Sequence, residues 1–565
     1  VQKNKSGNPN LKYEVFMQVH KKTRPESYEQ FINDFHLDIP ENFNFALDVV
    51  DAKAETSPDQ PAMIHVNDQG VRREYDFKYF SSQSSRLANA LRQSGIGKGD
   101  KVILILYKRV EFWVSMLALH KLGALAVPSP SLLTTKDIEY RVNFAGIKGA
   151  IIEDSAVPKV DAAREKCPEF TVLIQVGDSP APDGWEDYSR MLEKAAENFD
   201  PGPDRAGGND PLFVYFSSGT TGPPKMVEHL HNYPLAHVIT AMYWHDLEPG
   251  DIHLTLSDTG WAKSVWGKFY GQWLADAIIF VWDFRGKFEA DKLLRVICDN
   301  KVSTFCAPPT VYRFLVRQDL SGYDLSHLRH CTTAGELLND SVFHAWKENT
   351  GLPIYEGYGQ TETTLQMATF PFMEPKPGSI GRPTPIWPIR LLDENDNEVP
   401  PGEEGEICIK IESEPMLGLF AGYLYEKERT DKVMHNGFYH TGDKAWMDED
   451  GYMWFLGRVD DLIKSSGYRI GPFEVESALI THDAVVEAAV TAVPDEIRGQ
   501  AVKATIVLSE GWEPSEELTK SIQDHVKKVT APYKYPRVIE YVPELPKTIS
   551  GKIKRAEIRS KDLKN

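Results

Sequence analysis

Short apolar runs alternate with helical stretches along most of the chain. "KVILILYK" at 101–108 is a β-branched run that predicts a strand. "VEFWVSMLALHKLG" at 110–123 has helical periodicity and stops on Gly123. "ALAVPSP" reads as the next strand, which completes a strand–helix–strand unit. The pattern recurs: "STFCAPP" at 303–309 precedes a helical "TVYRFLVRQ", and "LRHCTTAGE" and "LPIYEGYGQ" are apolar runs ending in glycine and polar residues. Such alternation predicts an α/β fold of layered subdomains with active loops at strand ends.

The texture changes after about residue 400. "PPGEEGEICIK" predicts a turn entering a strand, and a helix opens near Pro472. Strand-like "VVEAAVTAV" and "VKATIVL" follow, then a helical stretch near 514–529. We therefore expect a large N-terminal domain over 1–459 and a small α+β domain over 460–565. "SGIGKGD" at 94–100 is a turn rather than a dinucleotide loop, because it precedes its strand.

At 565 residues the chain exceeds one ordinary core. With 63 basic against 82 acidic residues, the net charge of −19 argues against general nucleic-acid binding. The five cysteines (167, 298, 306, 331 and 408) are scattered and form no C-x-x-C, which fits a reducing compartment and no zinc or disulfide framework. "VQKNKSGNPN" lacks a secretory signal's apolar stretch, and no apolar run reaches the roughly 20 residues of a membrane span. A cytoplasmic enzyme is the expectation.

The chemistry centres on "YFSSGTTGPPKMVEH", 215–229. The strand "PLFVYF" delivers Ser217, Ser218, Gly219, Thr220, Thr221 and Gly222, whose hydroxyls and N–H groups suit phosphate oxygens. Lys225 adds a point charge. The loop is not a nucleotide hydrolase's G-x-x-x-x-G-K-[ST], because Pro223 and Pro224 precede the lysine.

This loop resembles the signature of the adenylate-forming superfamily: acyl- and aryl-CoA synthetases, luciferases and peptide-synthetase adenylation domains. Further matches follow in order: "TAGE" (333–336), "YEGYGQTET" (355–363), "YHTGDKA" (439–445), "LGRVDDLIKSSGYRIGPFEVE" (456–476) and "PKTISGKIKR" (546–555). "SSGYRIGPFEVE" with "APYKYPR" is most similar to medium-chain acyl-CoA synthetases. Leu337 stands where the family often has proline.

The resemblance implies that ATP, CoA and a small carboxylic acid are substrates, that Mg²⁺ assists, and that a homodimer is possible. It implies catalytic roles for Lys552, Thr361 and Glu362, with Glu362 also the metal ligand. It assigns the nucleotide to the 217–222 loop, Lys225, Gly335, Glu336, Glu356, Gly357, Tyr358, Gly359, Gln360, Asp443, Arg458 and Arg469, with Tyr358 stacking on adenine. It further implies that the small domain turns about Asp460, and that Ser466, Gly467, Tyr468 and Arg498 meet CoA. Trp261, Gly359 and Thr361 would border the acyl pocket, and Trp266 would be either core or an intrusion into it. Acetate-selective relatives carry tryptophan where this chain has Gly359, so the acid should be larger than acetate, medium-chain or branched. Lys263 either faces solvent or reads a polar acyl group. Rival readings are an aryl-acid ligase or stand-alone adenylation enzyme, a luciferase, a phosphate-loop hydrolase and a non-catalytic nucleotide-binding regulator.

Overall fold

The computed structural model describes residues 3–4, 24–217, 224–465, 468–495, 498–547 and 553–562. Two large sheets carry most of the chain. The first runs, in spatial order, Gly422–Tyr423, Lys225–Leu230, Pro211–Ser217, Leu125–Pro128, Lys101–Ile105, Gly149–Glu153, Val172–Val176 and Glu186–Asp187. Its inner strands are parallel and buried, which explains their unbroken apolar runs. The helix Glu111–Leu122 supplies one crossover, and Gly123 stops it in the left-handed conformation at φ 70°.

At its other edge this sheet turns antiparallel. Ser217 lies opposite Lys225, so the phosphate-loop residues connect two strands of a hairpin. A hydrolase loop instead opens a helix, and the proline pair suits this β exit.

The second sheet holds parallel strands Pro61–Asn67, Ile278–Asp283, Ile252–Thr255, Thr304–Cys306, His330–Ala334 and Ile354–Tyr358. The last two end at Gly335 and Gly359, which places both loops side by side at strand C-termini. A third, antiparallel sheet centres on Phe438–Met447 and sets Asp443 opposite Arg458 of the strand Met453–Arg458.

A separate small sheet contains Ile463–Ser465, Tyr468–Ile470, Val485–Asp495, Gly499–Leu508 and Val538–Tyr541. Helices Pro472–Ile480 and Glu516–Val529 pack on it around Val475, Leu479, Val490, Ile506 and Ile522. Asp460 is exposed in the turn that leads into this unit. Asn339 of the large part donates to the Ser477 carbonyl at 3.4 Å. Among the described residues no helix is long and apolar enough to cross a membrane.

Candidate active site

Asp443 is the hub of the site. It is only 4% exposed, yet its carboxylate faces polar donors from two other segments. Oδ2 accepts from the Tyr358 hydroxyl at 2.5 Å and from Gln360 Nε2 at 2.6 Å. Oδ1 accepts from Arg458 at 3.1 Å. The Tyr439 hydroxyl donates to Gln360 Oε1 at 2.7 Å, and this fixes which end of the amide faces Asp443. Gln360 Nε2 also reaches the Thr441 carbonyl at 2.9 Å. Burial opposes the Arg458 charge, but Asp443 and neighbouring tyrosines outweigh it and raise the guanidinium pKa.

A second cluster lies beside the loop hairpin. The strand pair Lys225–Leu230 and Gly422–Tyr423 brings Tyr423 to Glu362, and its hydroxyl donates to Oε1 at 2.9 Å. Lys225 Nζ approaches the same hydroxyl at 3.4 Å and lies 4.9 Å from the ring centre. Burial lowers the Lys225 pKa, and Glu362 works in the opposite direction. Glu362 is 8% exposed, and its Oε2 accepts no hydrogen bond from a described residue. A carboxylate oxygen left open on a largely buried side chain fits a hard cation such as Mg²⁺. Thr361 is anchored through its carbonyl, which contacts His229 Nε2 at 2.7 Å.

Other expected residues fall elsewhere or serve differently. The Glu356 carboxyl accepts from the backbone N–H of Leu338 at 2.9 Å and of Gly378 at 3.2 Å. Burial pushes its pKa up to about 8 despite those donors. It braces the strand end. The Tyr358 hydroxyl is committed to Asp443. Gly357 is a packing position, since a Cβ there would meet Trp244 at 2.6 Å. Glu336 accepts from Thr310 at 2.9 Å beside the left-handed Gly335.

The space beside Gly359 is filled by Trp266. An added Cβ would lie 2.3 Å from its Cη2 and 2.6 Å from the Thr364 carbonyl oxygen. Tyr233 accepts from the Trp266 indole N–H at 3.1 Å and holds the ring there. Trp261 is half-buried. Lys263 donates to the Ala334 carbonyl at 2.8 Å, so it is not simply solvent-facing.

In the small unit, Tyr468 is 51% exposed and stacks on Tyr533 at 4.1 Å. Arg498 pairs with Asp495 at 3.6 Å. Ser218, Gly219, Thr220, Thr221, Gly222, Ser466, Gly467 and Lys552 lie outside the described residues, and Arg469 is described only in its backbone. The segments flanking Lys552 are held by the bridge Lys547–Ile553 and by Arg555, which donates to both Glu476 oxygens at 2.8 and 2.6 Å.

Tyr423, Tyr439 and Thr441 escaped the sequence reading. Tyr439 and Thr441 lie within "YHTGDKA" but their contacts, like those of Tyr423, arise from pairing between distant segments.

The AMP-binding enzyme family pattern matches residues 50–424, and its C-terminal domain pattern matches 474–552. The chain is 42% identical to mouse acyl-coenzyme A synthetase ACSM3, mitochondrial, over 95% of this chain and 93% of the relative. It is 43% identical to rat ACSM4, mitochondrial, over 94% and 92%. The anthranilate CoA ligase AuaEII, solved with anthranoyl-AMP, superposes with TM-score 0.84 at 30% identity, covering 94% and 99%. An acyl-CoA synthetase from Brucella canis does so with TM-score 0.72 at 30% identity, covering 95% and 99%.

The mitochondrial names of these relatives overturn the cytoplasmic expectation. Free cysteines separate reducing from oxidising compartments and do not choose among the reducing ones. The ordered motifs, the shared fold over nearly the whole chain and the Asp443 and Glu362 clusters lead to one assignment: this chain belongs to the AMP-binding enzyme family.

Proposed function

We propose that the protein joins a carboxylic acid to CoA by way of an acyl-adenylate, releasing pyrophosphate and then AMP. The observation that carries this reading is the pair of adjoining clusters. Asp443, with Tyr358, Gln360 and Arg458, would hold a ribose, and Glu362 with Tyr423 and Lys225 would lie on the phosphate side, next to the strands that flank the loop.

The central difficulty is charge. An acid carboxylate must reach an anionic α-phosphate, and two unit charges about 3.5 Å apart repel by about 5 kcal/mol at an effective dielectric constant of about 20. Cations and N–H donors must offset this, with little general-base work. Lys225, the 217–222 loop and Thr361 would hold the phosphates, and Lys552 would bridge carboxylate and α-phosphate. Mg²⁺ held by Glu362 would supply further neutralisation. Gly335 and Glu336 would border adenine, and Arg469 would serve the phosphate side.

After adenylation the small unit would turn about Asp460, withdraw Lys552 and present Ser466, Gly467 and Tyr468 to the pantetheine, with Arg498 near the CoA phosphates. The favoured acid is larger than acetate, medium-chain or branched. Trp266 occupying the space beside Gly359 favours compact members of that range. The relatives' names support a mitochondrial setting.

The test is an acid panel from acetate to decanoate, straight and branched, with ATP, Mg²⁺ and CoA, reading nucleotides and thioesters. Acid-dependent AMP and acyl-CoA are expected. ADP as the product, or AMP formation indifferent to acid, would overturn the proposal.

A further inference from the structure

A group of metal-ligating side chains lies in the third sheet, apart from Glu362. "MHNGFYH" forms a tight hairpin, with Asn436 at φ 51° and Gly437 at φ 80° in the two turn positions. His435 pairs with Phe438 across it, so His435 and His440 share a face as diagonal neighbours. Their rings stack at 3.9 Å. Asp396 enters from a neighbouring turn. Its Oδ1 lies 3.9 Å from His440 Nε2 and its Oδ2 lies 4.0 Å from His435 Nδ1.

The other edge of His440 explains why Nε2 is the ligand-facing atom. Nδ1 lies 3.3 Å from Glu406 Oε2. Glu406 is itself held in place, accepting from the Gly442 N–H at 2.8 Å through Oε1. A carboxylate on Nδ1 keeps the proton there and leaves the Nε2 lone pair free, the usual support of a metal-bound imidazole. Cys408 Sγ sits on the same Nδ1 side at 3.4 Å and cannot share an ion with Nε2. The His440 side chain is 9% exposed, and its Nε2 has no hydrogen-bond partner among the described residues. A buried imidazole nitrogen without a partner is costly unless something binds it.

We propose that His435, His440 and Asp396 form a binding site for a divalent transition-metal ion of the zinc type, with Glu406 as the orienting carboxylate. The three donor atoms already lie within 4.8 Å of one another. Zinc bonds of about 2.0–2.1 Å hold tetrahedral donors roughly 3.4 Å apart, so the contacts to the two Asp396 oxygens must shorten by roughly half an ångström and no donor pair by more than about 1.4 Å. His435 makes the adjustment by leaving the stack; it is 41% exposed and has room to turn. Three protein donors leave a fourth position for water. Through Glu406 and Gly442 the ion would also brace the turn that carries Asp443.

The experiment is calorimetric titration of the full chain with Zn²⁺ in Mg²⁺-free buffer, together with thermal melting. One zinc per chain and a raised melting temperature are expected. His435→Ala should abolish both effects while melting like the wild type without metal. Glu406→Gln should weaken binding by about 10–100-fold. The absence of saturable binding, or binding unchanged in His435→Ala and Asp396→Asn, would overturn the proposal.

Discussion

Replacing Asp443 with asparagine tests the ribose site by lone-pair accounting. A carboxylate offers about four acceptor sites. Three are taken, by Tyr358, Gln360 and Arg458, which leaves one on Oδ1. A ribose with two hydroxyls therefore fits only if one resident donor yields. Asparagine keeps one acceptor oxygen and puts an NH₂ group where the other stood. Either orientation sets that NH₂ against Arg458 or against Gln360 and Tyr358, leaving a buried donor unmatched at a cost of about 1–3 kcal/mol. The lost ion pair adds little, because Arg458 is 37% exposed. On the nucleotide side, a hydrogen bond to a charged acceptor contributes about 1.5–3 kcal/mol. Losing one of these predicts roughly 1.5–3 kcal/mol, or about 10- to 160-fold in kcat/KM for ATP. The assay is acid-dependent ATP–pyrophosphate exchange at varied ATP, with melting of the free variant alongside. A folded Asp443→Asn protein with unchanged kcat/KM for ATP would refute the assignment.

Gly359→Ala forces Trp266 to move and should cost about 1–3 kcal/mol by overpacking; its preference among acids should shift to shorter chains, and an unchanged kcat/KM ratio across the panel would count against the contact. Glu356 has a folded pKa raised to about 8 from an ordinary 4.5, so its stabilising contribution is complete below about pH 4.5 and is lost as pH rises through 8. Urea unfolding should show stability falling across that window by on the order of a few kcal/mol, and a flatter profile in Glu356→Gln; equal slopes would reject the buried-acid reading. Lys552→Ala should lose adenylate formation and retain thioester formation from supplied acyl-adenylate, while equal loss of both steps would contradict rotation of the small unit.

Periodicity located the elements well where burial was one-sided or complete. "VEFWVSMLALHKLG" is the helix Glu111–Leu122 with its Gly123 stop, and the helix expected near 514–529 is Glu516–Val529. The proline at 472 opens its helix as expected. Contacts between distant segments were not legible. The Tyr423 hydroxyl meets Glu362 because an edge strand adds to the loop hairpin, and nothing local in the sequence encodes that pairing. The motif position of Glu356 did not disclose that strand alternation turns its carboxyl to Leu338 and Gly378. Gly359 read as added space, but the space belongs to an indole ninety-three positions earlier in the chain, at Trp266.

The most direct measurement follows oxygen. An acid carrying ¹⁸O in its carboxylate is turned over with ATP and CoA, and AMP and pyrophosphate are analysed by mass. Attack of the carboxylate on the α-phosphate leaves one labelled oxygen bridging acyl and phosphoryl groups, and CoA then departs with the acyl carbon. The account predicts one ¹⁸O in AMP and none in pyrophosphate. Unlabelled AMP, or label in pyrophosphate or inorganic phosphate, would contradict it.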